Sequence, residues 1–206
     1  NNDIYLTQTG TGLTLTVDQI GATNKVGTSQ ARVTLSGTSM TVDLDQIGDT
    51  NTFAATIAQG NSSSFTYKAT GDSNTAAITA GGTGDVAGTD FDFEATGDSN
   101  ALTFTQGDAA TATGGNQDFV VTGTSNDINA KCNVVGCINS WTVSGNSNDI
   151  DTVQSGRQDH SIAVVLTGSS NNVDVDQTDT ASTNVANIIS TTTNGVINVD
   201  QCASGC

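Results

Sequence analysis

The chain has 206 residues, of which 34% are hydrophobic and 4% aromatic, and its formal net charge at pH 7 is −16. Five basic residues against 21 acidic ones give no basic patch to neutralise phosphates, which argues against binding to nucleic acid. No apolar run reaches the roughly 20 residues of a membrane-spanning helix, so we expect no membrane insertion.

A glycine followed three residues later by asparagine recurs along the chain and divides it into repeats. The residue nine positions after the glycine is often glutamine. A degraded last copy has Thr192 in place of the glycine, which gives eight copies whose glycine positions lie 22 to 34 residues apart. Such a period is typical of repeat architectures. The repeat glycines and asparagines are Gly10, Gly37, Gly71, Gly97, Gly123, Gly145 and Gly168, with Asn74, Asn100, Asn126, Asn148 and Asn171.

Apolar and polar residues alternate on both sides of each repeat glycine, which predicts two half-buried β-strands per copy. We expect the position four residues before the glycine to form one aromatic and aliphatic core column. Its members are Leu6, Val33, Tyr67, Phe93, Phe119, Trp141, Val164 and Ile188. The complete absence of proline suits a chain of paired strands. The sequence therefore predicts an all-β fold, one β-solenoid domain over residues 1–206 with about eight strand–turn–strand rungs stacked in parallel.

The connections between the strands are less regular. Glycine and asparagine tolerate positive φ at little cost, so we expect them to form the turn of each rung. Residues 48–60 look like an additional half-copy that adds a strand on one side, and residues 81–89 and 107–116 are expected to be surface loops.

The glutamines nine residues after the repeat glycine predict a ladder of stacked amides. A buried amide is costly unless it is hydrogen-bonded, and stacked amides satisfy one another along the axis. The alternative is that each glutamine ends its strand in water. The predicted ladder comprises Gln19, Gln46, Gln106, Gln154, Gln177 and Gln201, with Ala80 and Cys132 replacing glutamine in two copies.

This pattern of glutamine, glycine, asparagine and alternating apolar residues resembles the curlin repeat, the unit of curli fibre subunits in bacterial biofilms. The first copy carries it at Gln8, Gly10, Leu15, Val17 and Gln19, and the sixth at Gly145, Asn148, Ile150 and Gln154. The resemblance implies a β-solenoid that stacks into extracellular, functional-amyloid-like filaments with a matrix or adhesion role. The chain departs from the family in that the glutamine before the glycine survives only as Gln8, and cysteine is foreign to the motif. Similar repeats occur in phage fibre proteins.

Four cysteines lie late in the chain, and an even number in a secreted chain suggests disulfides. We expect local pairs, Cys132 with Cys137 and Cys202 with Cys206, because each closes a short loop. A zinc site and a cross-link between subunits are the alternatives. The chain starts without methionine, and we expect a processed, secreted product at the cell surface.

The sequence offers little catalytic chemistry. His160 is the only histidine, and we expect it to be a solvated loop residue. No catalytic residue, cofactor or metal is predicted. Weak calcium binding by acidic columns such as Asp174 and Asp176 is a lesser alternative. So is ice binding by Thr103 and Thr105, whose column is interrupted.

The function predicted from these patterns is a structural, non-enzymatic subunit whose partner is itself, in a head-to-tail polymer. The reasoning is that an open sheet edge promotes further pairing unless it is capped. The alternative is a fibre or surface segment of a phage or cell that binds a receptor or glycan. A polysaccharide lyase is disfavoured because the five basic residues are scattered.

Overall fold

The computed structural model describes residues 2–28, 30, 32–59, 61–81, 87–107, 115–133, 135–156, 160–179 and 184–202. These residues form strands and turns, and no helix occurs among them. All strand pairs within the two sheets are parallel.

Sheet I contains nine layers, each one strand thick. The nine layers follow one another in the order β1, β4, β7, β9, β11, β13, β15, β17 and β19, where β1 with β2 and β4 with β5 each form one interrupted layer. The strands are β1 (Asn2–Ile4), β2 (Thr7–Thr9), β4 (Thr23–Val26), β5 (Val33–Ser36), β7 (Thr50–Gln59), β9 (Ser73–Ala80), β11 (Ser99–Gln106), β13 (Ser125–Cys132), β15 (Ser147–Gly156), β17 (Asn171–Asp179) and β19 (Val196–Cys202).

Sheet II contains eight layers, stacked in chain order. The strands are β3 (Thr14–Ile20), β6 (Thr41–Ile47), β8 (Ser64–Thr70), β10 (Asp90–Thr96), β12 (Asn116–Thr122), β14 (Ile138–Gly145), β16 (Ser161–Gly168) and β18 (Val185–Thr192). Each sheet II strand passes through a tight turn into the next sheet I strand, so the chain coils around a core that lies between the sheets. The predicted all-β solenoid with parallel stacking is confirmed.

The core is a set of side-chain columns that run along the coil axis. In sheet II the largest column contains the rings of Tyr67 and Phe93, which are tilted with centroids 5.3 Å apart, and those of Phe119 and Trp141, which are stacked at 5.4 Å. Phe53 of sheet I packs on Tyr67 across the core at 4.9 Å. Parallel, in-register stacking places like side chains over like, which is why the alternation in sequence was so regular.

The predicted frame is wrong for the first two copies. The structure places Gly48, rather than Gly37, in register with Gly71, because β6 pairs with β8 from Thr41↔Ser64 to Ile47↔Thr70. By the same pairing of β3 with β6, the first turn lies at Gly21 instead of Gly10. Gly10 and Gly37 lie at the opposite edge, after β2 and β5. Strands on both faces share the same alternation of apolar and polar residues, so the alternation by itself does not distinguish the two edges.

This shift changes the membership of the predicted core column. Leu6 and Val33 lie in sheet I, in one column with Ala55. The positions in sheet II that were predicted for Leu6 and Val33 are occupied by Val17 and Leu44. The other six predicted members, Tyr67, Phe93, Phe119, Trp141, Val164 and Ile188, are in register with one another. Residues 48–60 were predicted as an additional half-copy, and within them Thr50–Gln59 form β7, a full layer of sheet I.

The turn glycines are required by close backbone approach. A Cβ at Gly97 would overlap the carbonyl oxygen of Gly71 and lie 2.8 Å from Nδ2 of Asn74, and the same overlap recurs from Gly71 to Gly145. The expectation that the repeat asparagines adopt positive φ is wrong, since only Ser39, Ser62 and Ser170 do so among the described non-glycine residues. The asparagines instead lie inside sheet I strands, where their side chains form hydrogen bonds between layers.

Most of the two predicted surface loops, residues 82–86 and 108–114, lies outside the described residues.

Candidate functional site

The repeat asparagines form a continuous hydrogen-bonded column inside sheet I. Each side-chain amide donates to the Oδ1 of the asparagine one layer further on, over distances between 2.7 and 3.1 Å. The amide also reaches the backbone beside the next turn, as in Asn100 Nδ2 to Thr122 O at 3.0 Å. The column therefore fastens successive turns together. Its members are Asn2, Asn24, Asn51, Asn74, Asn100, Asn126, Asn148 and Asn171.

The asparagine column ends at Asn171. The next layer carries Gly195 at this position, because Asn172 pairs with Val196. The Nδ2 atom of Asn171 is buried and has no hydrogen-bond partner among the described residues. The last layer of sheet I thus leaves a gap in the column where every earlier layer has an amide.

The glutamines form two short ladders in different sheets, so the prediction of one ladder is wrong. In sheet II, Gln46 Nε2 donates to Gln19 Oε1 at 2.8 Å, and the Tyr67 hydroxyl donates to Gln46 Oε1. In sheet I, Gln177 donates to Gln154, and Gln201 donates to Gln177, both at 2.6 Å. In both sheets the donor belongs to the later layer.

Gln106 lies apart from both ladders. Its Oε1 accepts a hydrogen bond from Nε2 of Gln117 in the opposite sheet, and the Cys132 sulfur in the next layer lies 3.8 Å from that oxygen. The cysteine interrupts the ladder because it cannot replace the amide of glutamine as both donor and acceptor. Of the six predicted glutamines, five are buried, and the sixth, Gln201, lies in the last layer.

The glutamines also reveal how the two sheets are offset along the axis. Gln19 Nε2, in the first layer of sheet II, donates both to Asn2 O in the first layer of sheet I, at 3.2 Å, and to Lys25 O in the second, at 3.3 Å. Gln154 Nε2 likewise bridges Cys137 O and Ser161 O, which belong to neighbouring layers of sheet II. Each strand therefore lies about half a layer from two strands of the opposite sheet.

The last layers expose residues of the core columns. Ile197 and Val199 of β19 are 43% and 38% exposed, whereas Val173 and Val175, one layer below, are fully buried. The backbone of β19 and β18 has hydrogen-bonding groups on one side that no other described strand meets. This end of the described coil has the side chains and backbone of an interior layer without the next layer on top.

The first layers are also open, although less so. Ile4, Leu6, Leu13, Leu15 and Val17 are only partly buried and pack against the core. They belong to β1, β2 and β3 or lie beside them, which form the first layers of the two sheets. Both ends of the described coil therefore present apolar columns bordered by unpaired strand edges.

A disulfide joins Cys132 and Cys137, as predicted, and closes the connection between β13 and β14. Cys202 is also disulfide-bonded, while its predicted partner Cys206 lies outside the described residues. His160 was expected in solvent, but the structure places it in the core at 1% exposure, where its Nδ1 accepts a 3.4 Å hydrogen bond from the backbone of Cys137. It occupies an inward position just before β16, which the alternation of that strand could have indicated.

Acidic side chains lie next to one another on the outer faces of both sheets. Burial, and then neighbouring carboxylates, raises the pKa of Asp45, Asp92, Asp151 and Asp176 above the ordinary aspartate value. The charge of Lys68 counteracts this increase at Asp45, and Lys68 also forms a 2.9 Å ion pair with Glu94. Asn172 and Asn198 relieve part of the repulsion on sheet I by donating to Asp149 and Asp174.

Within the described ranges, no three histidine, cysteine or acidic side chains are grouped so that they could hold a metal ion. A search of the same residues for a helix with the length and apolar character to cross a membrane found none.

The candidate functional site is therefore the pair of open ends, and the turn asparagines are the residues that sequence reasoning misassigned. The signal was present, since Gly21 with Asn24 and Gly48 with Asn51 repeat the same spacing. Comparisons with protein-family models, with curated proteins and with solved structures found no match.

Proposed function

We propose that this chain is a structural subunit that stacks end to end into an extracellular filament. The observation that carries the proposal is the exposure of core columns at the ends, above all Ile197 and Val199 of β19. Exposed strand edges of this kind pair readily with further strands. A second copy supplies both a parallel strand edge and apolar columns of the same spacing.

The energetic argument favours stacking over a bare end. Each fully buried aliphatic side chain contributes about 1.5–3 kcal/mol relative to an exposed one, and several are partly exposed at each end. New backbone hydrogen bonds and amide contacts add to this. Against these gains stand the loss of translational freedom and the repulsion of two chains with a net charge of −16 each.

Two further features suit an extracellular filament. A disulfide such as Cys132–Cys137 persists in oxidising surroundings. The acidic outer faces repel one another, which favours growth along the axis over sideways clumping. A role in a matrix or in adhesion, with surface glycans as partners, remains a prediction from the sequence.

The test is a lysine at the open end. In Val199→Lys the new side chain extends into solvent in the free subunit, because Val199 is 38% exposed there, but it is trapped in the core once another subunit stacks on it. The matched control is Val165→Lys, on the outer face of sheet II, where the valine is 40% exposed in any assembly along the axis.

Electron microscopy and sedimentation velocity would compare the three proteins at equal concentration. We expect filaments for the wild type and for Val165→Lys, and dispersed particles for Val199→Lys with an unchanged circular dichroism spectrum. A wild type that stays monomeric at high concentration would refute the proposal, and so would filaments from Val199→Lys.

A further inference from the structure

At both ends of the described coil, the two sheets end at different heights along the axis, because sheet I has one more layer than sheet II. Among the described residues, sheet I has nine layers and sheet II has eight. Strands of one sheet lie about half a layer from those of the other, as the double contacts of Gln19 and Gln154 show. Sheet I therefore extends half a layer beyond sheet II at both ends, with β1 and β2 at one end and β19 at the other.

This shape restricts how copies can stack. If the next copy had the same orientation, β19 would meet β1 and β2, and the two projecting edges of sheet I would touch. The edges of sheet II, β18 and β3, would then be two layers apart, so that one strand would be missing between them. That slot would leave backbone groups and apolar columns uncovered at every junction.

A half turn about the axis removes the mismatch. The projecting β19 then meets the recessed β3 of the next copy, and the recessed β18 meets its projecting β1 and β2. The strands run across the coil axis, in opposite directions in the two sheets. A half turn about the axis reverses the direction of every strand, so all new strand pairs between copies are parallel, like those within the chain. We propose, on the basis of the stacking proposed above, that successive subunits are related by a half turn.

The side-chain columns match in this arrangement. The register follows from the structure, in which Gln19 lies across the turn from Asn24, with Asn24 Nδ2 3.4 Å from Gln19 O. At the β19 junction the next copy places Leu13 over Gly195, Leu15 over Ile197, Val17 over Val199 and Gln19 over Gln201. At the β18 junction it places Asn2 over Asn184, Ile4 over Ala186, Leu6 over Ile188 and Gln8 over Ser190.

Two of these contacts are specific. Gln19 of the next copy would exchange its bond to Asn2 O for one to Gln201 and keep its bond to Lys25 O, in the direction already taken from Gln201 to Gln177 and from Gln46 to Gln19. Leu13 would lie over Gly195, where the side chain is absent and the asparagine column stops. The half turn therefore continues the amide ladder and covers the gap above Asn171.

The geometry also fixes the axial repeat. One subunit contributes eight and a half layers on average to each sheet, and layers in parallel sheets lie about 4.8 Å apart. Successive subunits are thus separated by about 41 Å along the axis, with a rotation near a half turn. Any twist of the coil adds to or subtracts from that rotation.

Cross-linking between single-cysteine variants tests the orientation directly. In the half-turn stack Asn198 of one copy lies beside Thr16 of the next, and in the same-orientation stack it lies beside Tyr5 of the next. Cα atoms of adjacent strands lie within the range that a disulfide spans. All three side chains are exposed in the single subunit, and the described native cysteines are disulfide-bonded.

Asn198→Cys would be mixed in equal amounts with Thr16→Cys or with Tyr5→Cys, assembled and oxidised mildly. We expect a covalent dimer on a non-reducing gel for the Thr16→Cys mixture, at least tenfold more than for the Tyr5→Cys mixture. The opposite preference would establish the same orientation and overturn the half turn.

The two remaining outcomes distinguish failure of the half turn from failure of the filament proposal. Filaments that cross-link in neither mixture would overturn the half turn and leave the filament proposal standing. Mixtures that contain no filaments by electron microscopy would instead refute the filament proposal itself, and the half turn with it.

Discussion

Asn100 donates a 2.8 Å side-chain hydrogen bond to Asn126 in the next layer, and both side chains are almost completely buried. A buried amide is stabilising only when its donors and acceptor are satisfied. Stacking satisfies them repeatedly, since each layer supplies the acceptor for the one before. The hydrogen bonds of the asparagine column therefore form only in the stacked layers, and they hold the turns of successive layers in line.

The first prediction concerns this column. Asn100→Ala removes one member, so that the Oδ1 of Asn126 loses its donor and the Nδ2 of Asn74 loses one acceptor while it keeps its bond to Thr96 O. Each buried group left unsatisfied costs about 1–3 kcal/mol, so we expect the free energy of unfolding to fall by at least ~2 kcal/mol. Denaturant titration measures it.

The control for that measurement is Ser99→Ala, next to Asn100 but exposed on the outer face. Its effect should stay within about 0.5 kcal/mol. If the two variants were equally stable, the column would contribute nothing and its structural role would be refuted.

The second prediction separates two glycines that look equivalent in the sequence. Gly97→Ala places a Cβ on the carbonyl oxygen of Gly71, whereas a Cβ at Gly10 meets no atom within 4 Å. We expect Gly97→Ala to lower the melting temperature strongly or prevent folding, and Gly10→Ala, whose new Cβ meets no neighbour but whose φ is 159°, to lower it much less. Differential scanning fluorimetry compares them, and similar losses would favour the sequence-derived frame over the structural one.

Strand pattern and fold class could be predicted because alternation is a local property. Tyr67, Phe93 and Phe119 fall on one face whichever way the coil winds, so the solenoid and its central core column followed from spacing. The edge at which Gly10 and Gly37 lie did not follow from the alternation, because the strands before and after each glycine are equally apolar. The spacing of Gly21 to Asn24 and of Gly48 to Asn51 does indicate the frame, and the pairing of Leu44 with Tyr67 establishes it.

Side-chain chemistry in the turns was harder still. Asparagine commonly marks positive φ in sequence patterns, yet Asn74 and Asn100 are strand residues that bond to each other. Their burial depends on the neighbouring layers, which a single repeat does not contain. His160 was misjudged for the same reason, since its burial depends on the packing of layers around Cys137.

The third prediction is a pH dependence. Burial and neighbouring acids raise the pKa of Asp45, Asp92, Asp151 and Asp176 in the folded chain. Ionisation therefore costs more in the folded state than in the unfolded one. The stabilising effect is full below the unfolded pKa of about 3.9 and is lost as the pH rises through the folded values.

We accordingly expect the melting temperature to rise as the pH is lowered from 7 towards 4, measured at low ionic strength. The double variant Asp151→Asn with Asp176→Asn should be more stable at pH 7 and show a weaker pH dependence. A melting temperature that falls steadily over this range in the wild type would contradict the assignment.

The fourth prediction concerns charge at the junction between subunits. In the half-turn stack Asp200 lies beside Asp18 of the next copy, and like charges directly opposite on neighbouring strands are unfavourable by up to about 1 kcal/mol. Asp200→Asn should lower the concentration needed for assembly by roughly two- to fivefold. Light scattering over a concentration series measures this threshold.

Asp3→Asn is the matched control for that series, since it removes the same charge at the first layer but would lie over Val185. Its effect should be smaller than that of Asp200→Asn, and added salt should reduce the difference between the two. An equal effect of both variants at low salt would show that only net charge matters and that Asp200 does not face Asp18.

The measurement that tests the central claim most directly is cryo-electron microscopy of the concentrated wild-type protein. Stacking predicts unbranched filaments with a strand spacing of about 4.8 Å and a subunit repeat near 41 Å along the axis. Single particles one subunit long, with both end layers exposed to solvent, would contradict it.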